Sequence, residues 1–324
     1  MNFLQTLIVF IIVLILVPLA PLTIVLSYYI WFNTSFWWIL PIYMIWYIYD
    51  FESPTRGSHP WKWFKYNGFW KYFVEYFPMT LVKTADLPPD RNYIICSHPH
   101  GVFSISIFIN LLTDATGFPK KYPGITSTLM TLPSQFYFPF RREIGLWTGG
   151  VSTSPESLEY FLNGPKKGFA ICDVVGGARE SMFSHPGNFD LYLKNRRGFC
   201  KYALKYGADL VPMFNFGEND IYEQMDNREG TFYRSLQDNF KSIFGFCPIF
   251  PKLGRFLSWH LGILPFRRPV NSVIGKPIRV DKVPEPSQDQ IDKLHSTYCE
   301  ALIELFEEHK SNFGISPHTH LNFH

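Results

Sequence analysis

The sequence predicts an α/β fold, a sheet with flanking helices, preceded by an N-terminal hydrophobic helical hairpin. Three observations carry this. From Met1 to Tyr49 there is no Asp, Glu, Lys or Arg, so every side-chain charge lies at Asp50 or beyond. After the linker Leu87-Pro88-Pro89-Asp90, short apolar runs alternate with amphipathic ones, the signature of strands interleaved with helices. Aromatic residues reach 18% of the 324, more than a soluble core needs and typical of chains that meet a bilayer interface. The predicted organisation is a transmembrane or re-entrant hairpin at 1–49, an interfacial segment at 50–87 and a cytosol-facing α/β domain at 88–324.

The first apolar run extends from Phe3 to Phe32, broken at Pro18 and Pro21, and the second from Phe36 to Tyr49. Asn33-Thr34-Ser35 supplies the polar turn between them. A span needs roughly 20 apolar residues, so the first run is long enough and the second short. A retained anchor rather than a cleaved leader is expected, because the N-terminus lacks a basic region and the apolar stretch is too long. Arg56, Lys62, Lys65 and Lys71 follow, interleaved with Trp61, Trp63, Phe64 and Trp70, a pattern suited to anionic headgroups and placing residue 50 onward on the cytosolic side.

Within the α/β part, Arg91 to Ser97 reads as a strand running into His98-Pro99-His100-Gly101. Val102 to Thr116 reads as a helix closed by Gly117. Ser154-Pro155 opens a helix ending at Gly164, and Phe169 to Val175 is an apolar strand ending at Gly176-Gly177. A basic helix follows over Gly198 to Tyr206, then a strand near Asp209 to Phe214. Ser287 and Gln290 form a capping-box pair ahead of Ile291, Leu294, Tyr298, Leu302 and Leu305 at helical spacing, a helix expected to pack on the core.

Charge and cysteine content exclude other classes. Thirty basic against 27 acidic residues are dispersed along the chain, so no nucleic-acid partner is expected. The five cysteines are widely separated, without a C-x-x-C pair, and read as reduced thiols; no metal is expected either.

Two polar clusters fall at predicted strand ends, where open α/β sheets gather ligands: His98-Pro99-His100-Gly101 and Gly176-Gly177-Ala178-Arg179-Glu180. A histidine can remove a proton from an attacking alcohol, and a carboxylate on its other nitrogen would fix its tautomer; Glu180 is the candidate partner. His100 is the first candidate base and His98 the alternative. Gly101 and Gly177 can present backbone N–H groups to an oxyanion. Ser97, Ser104 and Ser106 flank the histidines, but no G-x-S-x-G elbow surrounds them. Arg196, Arg197 and Lys201 form a basic cluster at a helix start that suits phosphate, with Arg141-Arg142 as a second, weaker candidate.

Tyr76-Phe77-Pro78, His98-Pro99-His100-Gly101, Val174-Val175-Gly176-Gly177-Ala178-Arg179-Glu180, Arg197-Gly198-Phe199, and Leu210-Val211-Pro212 with Phe216-Gly217-Glu218-Asn219 together resemble the ordered motifs of the type-two diacylglycerol O-acyltransferase family. The resemblance runs from the N-terminal hydrophobic segment to Phe313-Gly314. It implies a glycerolipid-acyltransferase-like sheet and transfer of a fatty acyl group from acyl-coenzyme A to diacylglycerol, making triacylglycerol. It also implies the endoplasmic reticulum membrane and lipid-droplet surface as location, and no cofactor beyond acyl-coenzyme A as co-substrate. Arg142, Arg196, Arg197 and Lys201 would hold the coenzyme. A homo-oligomer is compatible with it. The sequence departs from the family at Cys96-Ser97 and at Pro251-Lys252-Leu253-Gly254-Arg255, which bears on the choice of acceptor. The competing readings are transfer to a monoacylglycerol or a long-chain alcohol and, in another class, a non-catalytic lipid-droplet scaffold.

Overall fold

The computed structural model describes residues 3–16, 19–244 and 264–324. Pro18, Cys247 and the departure at Pro251 to Arg255 lie outside the described residues. The helices are α1 (Phe3–Leu16), α2 (Leu19–Asn33), α3 (Ile39–Tyr49), α4 (Lys62–Lys65), α5 (Phe69–Tyr76), α6 (Ile105–Leu112), α7 (Phe118–Lys121), α8 (Arg141–Thr148), α9 (Pro155–Leu162), α10 (Gly177–Ser181), α11 (Gly198–Tyr206), α12 (Phe232–Phe244) and α13 (Gln288–His309). The strands are β1 (Thr80–Lys83), β2 (Tyr93–His98), β3 (Thr126–Thr131), β4 (Gly150–Ser152), β5 (Phe169–Asp173), β6 (Asp190–Leu191), β7 (Asp209–Phe216), β8 (Asn271–Ile274) and β9 (Asn322–Phe323).

Seven strands form one sheet in the order β1-β8-β7-β2-β5-β3-β4, and β6 pairs with β9 in a second, two-stranded sheet. Neighbours run parallel except β7 and β8. At the centre, β2 and β7 are buried at every position, as strands covered on both faces must be. Alternation along β2 sends Ile94 and Cys96 into a core with Ala203, Tyr298 and Leu302 of α11 and α13. Tyr93 and Ile95 point the other way, against Ile107 and Leu111 of α6. Because β2, β5 and β7 are parallel neighbours, their carboxyl ends open on one edge of the sheet.

The expected N-terminal hairpin is not confirmed: the described residues of this segment lie in α1, α2 and α3, and no helix of the described residues is long and apolar enough to cross a membrane. Within the described residues the first apolar run contributes α1 and α2, of 14 and 15 residues. Pro21 is accommodated in the first turn of α2, where its missing N–H costs nothing. The polar turn falls where expected, with Thr34 Oγ1 accepting the Phe36 N–H at 3.1 Å. In the segment that follows, Trp61 and Trp63 are exposed, but Lys65 and Trp70 are buried and so withdrawn from any headgroup. Its last residues, Thr80–Lys83, pair with Asn271–Ile274, so the sheet begins before residue 88.

Elsewhere α11, β5 and the capping box of α13 match the predicted elements, with Ser287 accepting from Gln290 N and Gln290 from Ser287 N. The helix expected over 102–116 is shorter: Gly101 to Phe103 turn first, and the helix gives way at Thr113, which is extended. Gly117 instead precedes α7.

Candidate active site

The carboxyl ends of β2, β5 and β7 bring three loops together: His98 to Ser104, Val174 to Glu180, and Gly217 to Asn219. The two histidines, two residues apart, have opposite environments. His98 continues the inward alternation of Ile94 and Cys96 and is fully buried. Its Nε2 lies 3.0 Å from Tyr298 Oη, whose hydrogen reaches the Cys96 carbonyl at 3.3 Å. Its carbonyl accepts from Asn215 Nδ2 at 3.0 Å. Burial pushes its pKa down to about 3.

His100 stands beyond the strand and is only partly buried. Its Nδ1 is 3.0 Å from the Gly101 carbonyl and 3.3 Å from Ser104 Oγ. A carbonyl only accepts, so Nδ1 carries the hydrogen and Nε2 keeps its lone pair. Nε2 has no partner among the described residues. Burial lowers the pKa of this ring also, against the hydrogen bond to Gly101, which raises it.

Glu180 is buried next to this loop, but the expected carboxylate–imidazole contact is not made. Its Oε1 accepts the backbone N–H of His100 at 2.6 Å, and its Oε2 that of Tyr192 at 2.7 Å. The loop is therefore held through its backbone, with the tautomer of His100 set by Gly101. Gly176 has to be glycine, because a Cβ there would overlap the Glu180 carboxyl group. Burial pushes the Glu180 carboxyl up to about 7, opposed by its backbone hydrogen bonds. Asp173, at the end of β5, is raised to about 6 by burial, with Arg196 acting in the opposite direction.

Of the two glycines expected to offer N–H groups, Gly177 is committed: its N–H bonds the Val174 carbonyl at 3.0 Å. The Gly101 N–H finds no acceptor among the described residues.

The expected phosphate-binding residues divide. Arg142 is a correction, since it is buried and far from solvent. Its Nη1 meets Asp50 Oδ2 at 2.7 Å, its Nη2 bonds the Asp50 carbonyl, and its guanidinium lies 5.1 Å from the Tyr47 ring. It ties the start of the charged chain to α8. Arg197 pairs with Asp292 of α13 at 2.6 Å. Arg196 and Lys201 are exposed, with Arg196 Nη2 at 3.3 Å from the Gly176 carbonyl.

Three further residues shape the site without having been assigned a role from the sequence. Tyr298 lies on the buried stripe of α13, where a hydroxyl among Leu and Ile was the available signal. Asn215 bonds Ser97 Oγ as well as the His98 carbonyl. Glu218 follows eight buried strand residues in the Phe216-Gly217-Glu218-Asn219 motif and is itself fully buried.

The solved 1-acyl-sn-glycerophosphate acyltransferase of Thermotoga maritima aligns over 94% of this chain and 97% of its own, at 15% identity and a TM-score of 0.39. The chain is 42% identical over 290 residues to 2-acylglycerol O-acyltransferase 1 of Mus musculus, covering 89% of this chain and 86% of that protein. It is 42% identical over 286 residues to diacylglycerol O-acyltransferase 2 of Homo sapiens, covering 88% of this chain and 74% of that protein. The family model for diacylglycerol acyltransferase matches residues 29–324, a stretch that holds every motif and loop of the candidate site, and the chain belongs to that family.

Proposed function

We propose that this chain transfers a fatty acyl group from acyl-coenzyme A to the free hydroxyl of diacylglycerol, forming triacylglycerol, with His100 as general base. The observation that carries the reading is the state of the His100 ring: Nδ1–H is committed to Gly101, and Nε2 holds a lone pair with no protein partner among the described residues. His98 has the opposite character, sealed in the core against Tyr298, and serves the loop as a brace.

The acceptor O–H gives its proton to His100 Nε2 as its oxygen bonds the thioester carbonyl carbon. The carbonyl oxygen becomes an oxyanion, for which the Gly101 N–H is the nearest uncommitted backbone donor. Collapse breaks the carbon–sulfur bond, and coenzyme A leaves as thiolate and takes the proton from His100. A thiolate is a good leaving group, so a second, acidic residue is unnecessary. Arg196 and Lys201 suit the coenzyme's phosphates. Arg197 contributes less in this reading, because Asp292 already neutralises it. The acceptor is nearly insoluble in water, and an enzyme held at the bilayer meets it by lateral diffusion. We accordingly assign the chain to the endoplasmic reticulum membrane and lipid-droplet surface, with the sheet facing the cytosol.

The test incubates purified enzyme with labelled oleoyl-coenzyme A and, separately, diacylglycerol, 2-acylglycerol and a long-chain alcohol. Labelled triacylglycerol from diacylglycerol is expected, falling to background in His100→Ala while the protein remains folded. Product from 2-acylglycerol alone would overturn the acceptor assignment, and retained turnover in His100→Ala would remove the base.

A further inference from the structure

Helix α6 begins in an unusual way. Ser104 occupies its N-cap position, where a serine hydroxyl ordinarily accepts an N–H from the helix's first turn. Here it makes no such bond, and its backbone is left-handed at φ 53° and ψ 45°. That conformation is strained for a non-glycine residue. The hydroxyl instead turns back on the loop, donating to the His100 carbonyl at 2.8 Å and lying 3.3 Å from His100 Nδ1.

The capping is done by a residue more than a hundred positions away. Glu218 Oε1 accepts the Ile105 N–H at 2.8 Å, and Oε2 accepts the Ser106 N–H at 3.1 Å. The same carboxylate lies beneath Gly101, where a Cβ would come within 2.5 Å of Glu218 Cγ. No lysine or arginine pairs with it among the described residues, so its buried partners are the amides at the positive end of the helix dipole.

We propose that Glu218 is a positioning residue for His100: by capping α6 in place of Ser104, it frees the Ser104 hydroxyl to hold the imidazole. The inference rests on His100 being the base. Without the Glu218 carboxylate, Ser104 relaxes to cap its own helix, and the His100 loop loses the hydroxyl's bond to its carbonyl and its contact with Nδ1, leaving the ring held by Gly101 alone. A displacement of this size at a proton-transferring group lowers turnover without changing how the coenzyme binds.

The experiment measures kcat, KM for oleoyl-coenzyme A and thermal midpoint in Glu218→Gln, Ser104→Gly, the double variant and His100→Ala. Ser104→Gly removes the hydroxyl and relieves the left-handed strain, so a purely structural role predicts an enzyme at least as stable and fully active. We expect instead an unchanged or higher midpoint with kcat about 10-fold to 100-fold lower and KM within about twofold. Glu218→Gln should lower kcat similarly, and the double variant should be no slower than the slower single one. Full kcat in Ser104→Gly, or losses that multiply in the double variant, would overturn the inference. If Glu218→Gln yields no folded protein, Ser104→Gly decides alone. Activity surviving in His100→Ala would instead sink the underlying assignment of the base, a result separable from both.

Discussion

The N-terminal helices and the sheet use the same apolar residue types in opposite ways. In the sheet, Ile95, Val211 and Val273 have no exposed surface; in α3, Ile45 and Ile48 are about 70% exposed and Tyr49 is 85% exposed. No residue of α3 is buried. Among the described residues, α1 shares a core with the body through Val9, Ile12 and Val13 against Trp70, Phe73 and Tyr76. An exposed apolar surface of this extent marks a contact with lipid or protein. Burial in the sheet makes a rigid edge for chemistry, and exposure in the helices makes an adhesive surface. One can therefore be perturbed without the other, except where they are joined.

Beside the α1 core and the Tyr43–Glu143 hydrogen bond, the Asp50–Arg142 pair joins the two regions, and breaking it should have the largest effect. Asp50 also lies 2.5 Å from His59 Nε2. Removing one partner of a buried ion pair costs about 3–5 kcal/mol, because the other charge is stranded. Arg142→Ala should lower the denaturant midpoint accordingly, while KM for acyl-coenzyme A in the folded fraction stays unchanged. A raised KM with normal stability would restore Arg142 to the coenzyme site.

The two regions should also respond oppositely to pH. Glu180 and Glu218 are raised from the usual carboxyl range to about 7 by burial. The unfolded chain loses these protons near pH 4.5 and the folded chain only near 7, so their stabilisation is complete below 4.5 and lost as pH rises to 7. The change is on the order of 3 kcal/mol for each. Asp50 behaves in reverse. Burial pushes it up, but hydrogen bonds from Ser53, His59 and Arg142 outweigh this and hold it below its ordinary value, so its stabilisation is lost as pH falls through that value. The lowered pKa values of His98 and His100 act in the opposite direction, so the test is a difference: between about pH 4.5 and 7.5 the stability of Glu218→Gln relative to the unsubstituted protein should rise with pH, and a constant difference would exclude Glu218 as a titrating group.

What the sequence disclosed follows the range of the interactions involved. Local signals worked: Ser154-Pro155 before α9, Gly207 after α11 and the Ser287–Gln290 box all stand at the predicted ends. Both histidines and Glu180 come together because the chain places each just past a parallel strand, a rule the sequence alone supports. The errors lie where a partner is distant. Glu180 seeks a backbone amide rather than a ring, and Arg142 finds Asp50, 92 positions away. The α6 start was placed early because its cap is supplied by Glu218. The alternation of β2 turns His98 inward with Ile94 and Cys96, and the strand ends there, before His100.

A smaller effect concerns the exposed helices themselves. Replacing Ile45 and Ile48 together by Ser should weaken vesicle binding by about 2 kcal/mol per side chain if each is buried in lipid, leaving kcat in detergent unchanged. Undiminished vesicle binding would show that α3 does not carry the attachment.

The smallest effect separates cations on the sheet side. Arg197 and Asp292 are both about half exposed, and such a pair contributes at most about 1 kcal/mol to stability. Its consequence is to occupy Arg197, while Arg196 and Lys201 remain open to an anion. Arg196→Ala and Lys201→Ala should each raise KM for acyl-coenzyme A severalfold at low salt, with the difference shrinking as ionic strength rises and the Debye length falls below about 10 Å. Arg197→Ala should change KM less, because the lost cation was already neutralised. Asp292→Ala should lower KM by releasing Arg197 toward the phosphates. An Arg197 effect larger than that of Arg196 would mean that the coenzyme displaces Asp292 on binding, and the basic cluster would then be completed by its ligand.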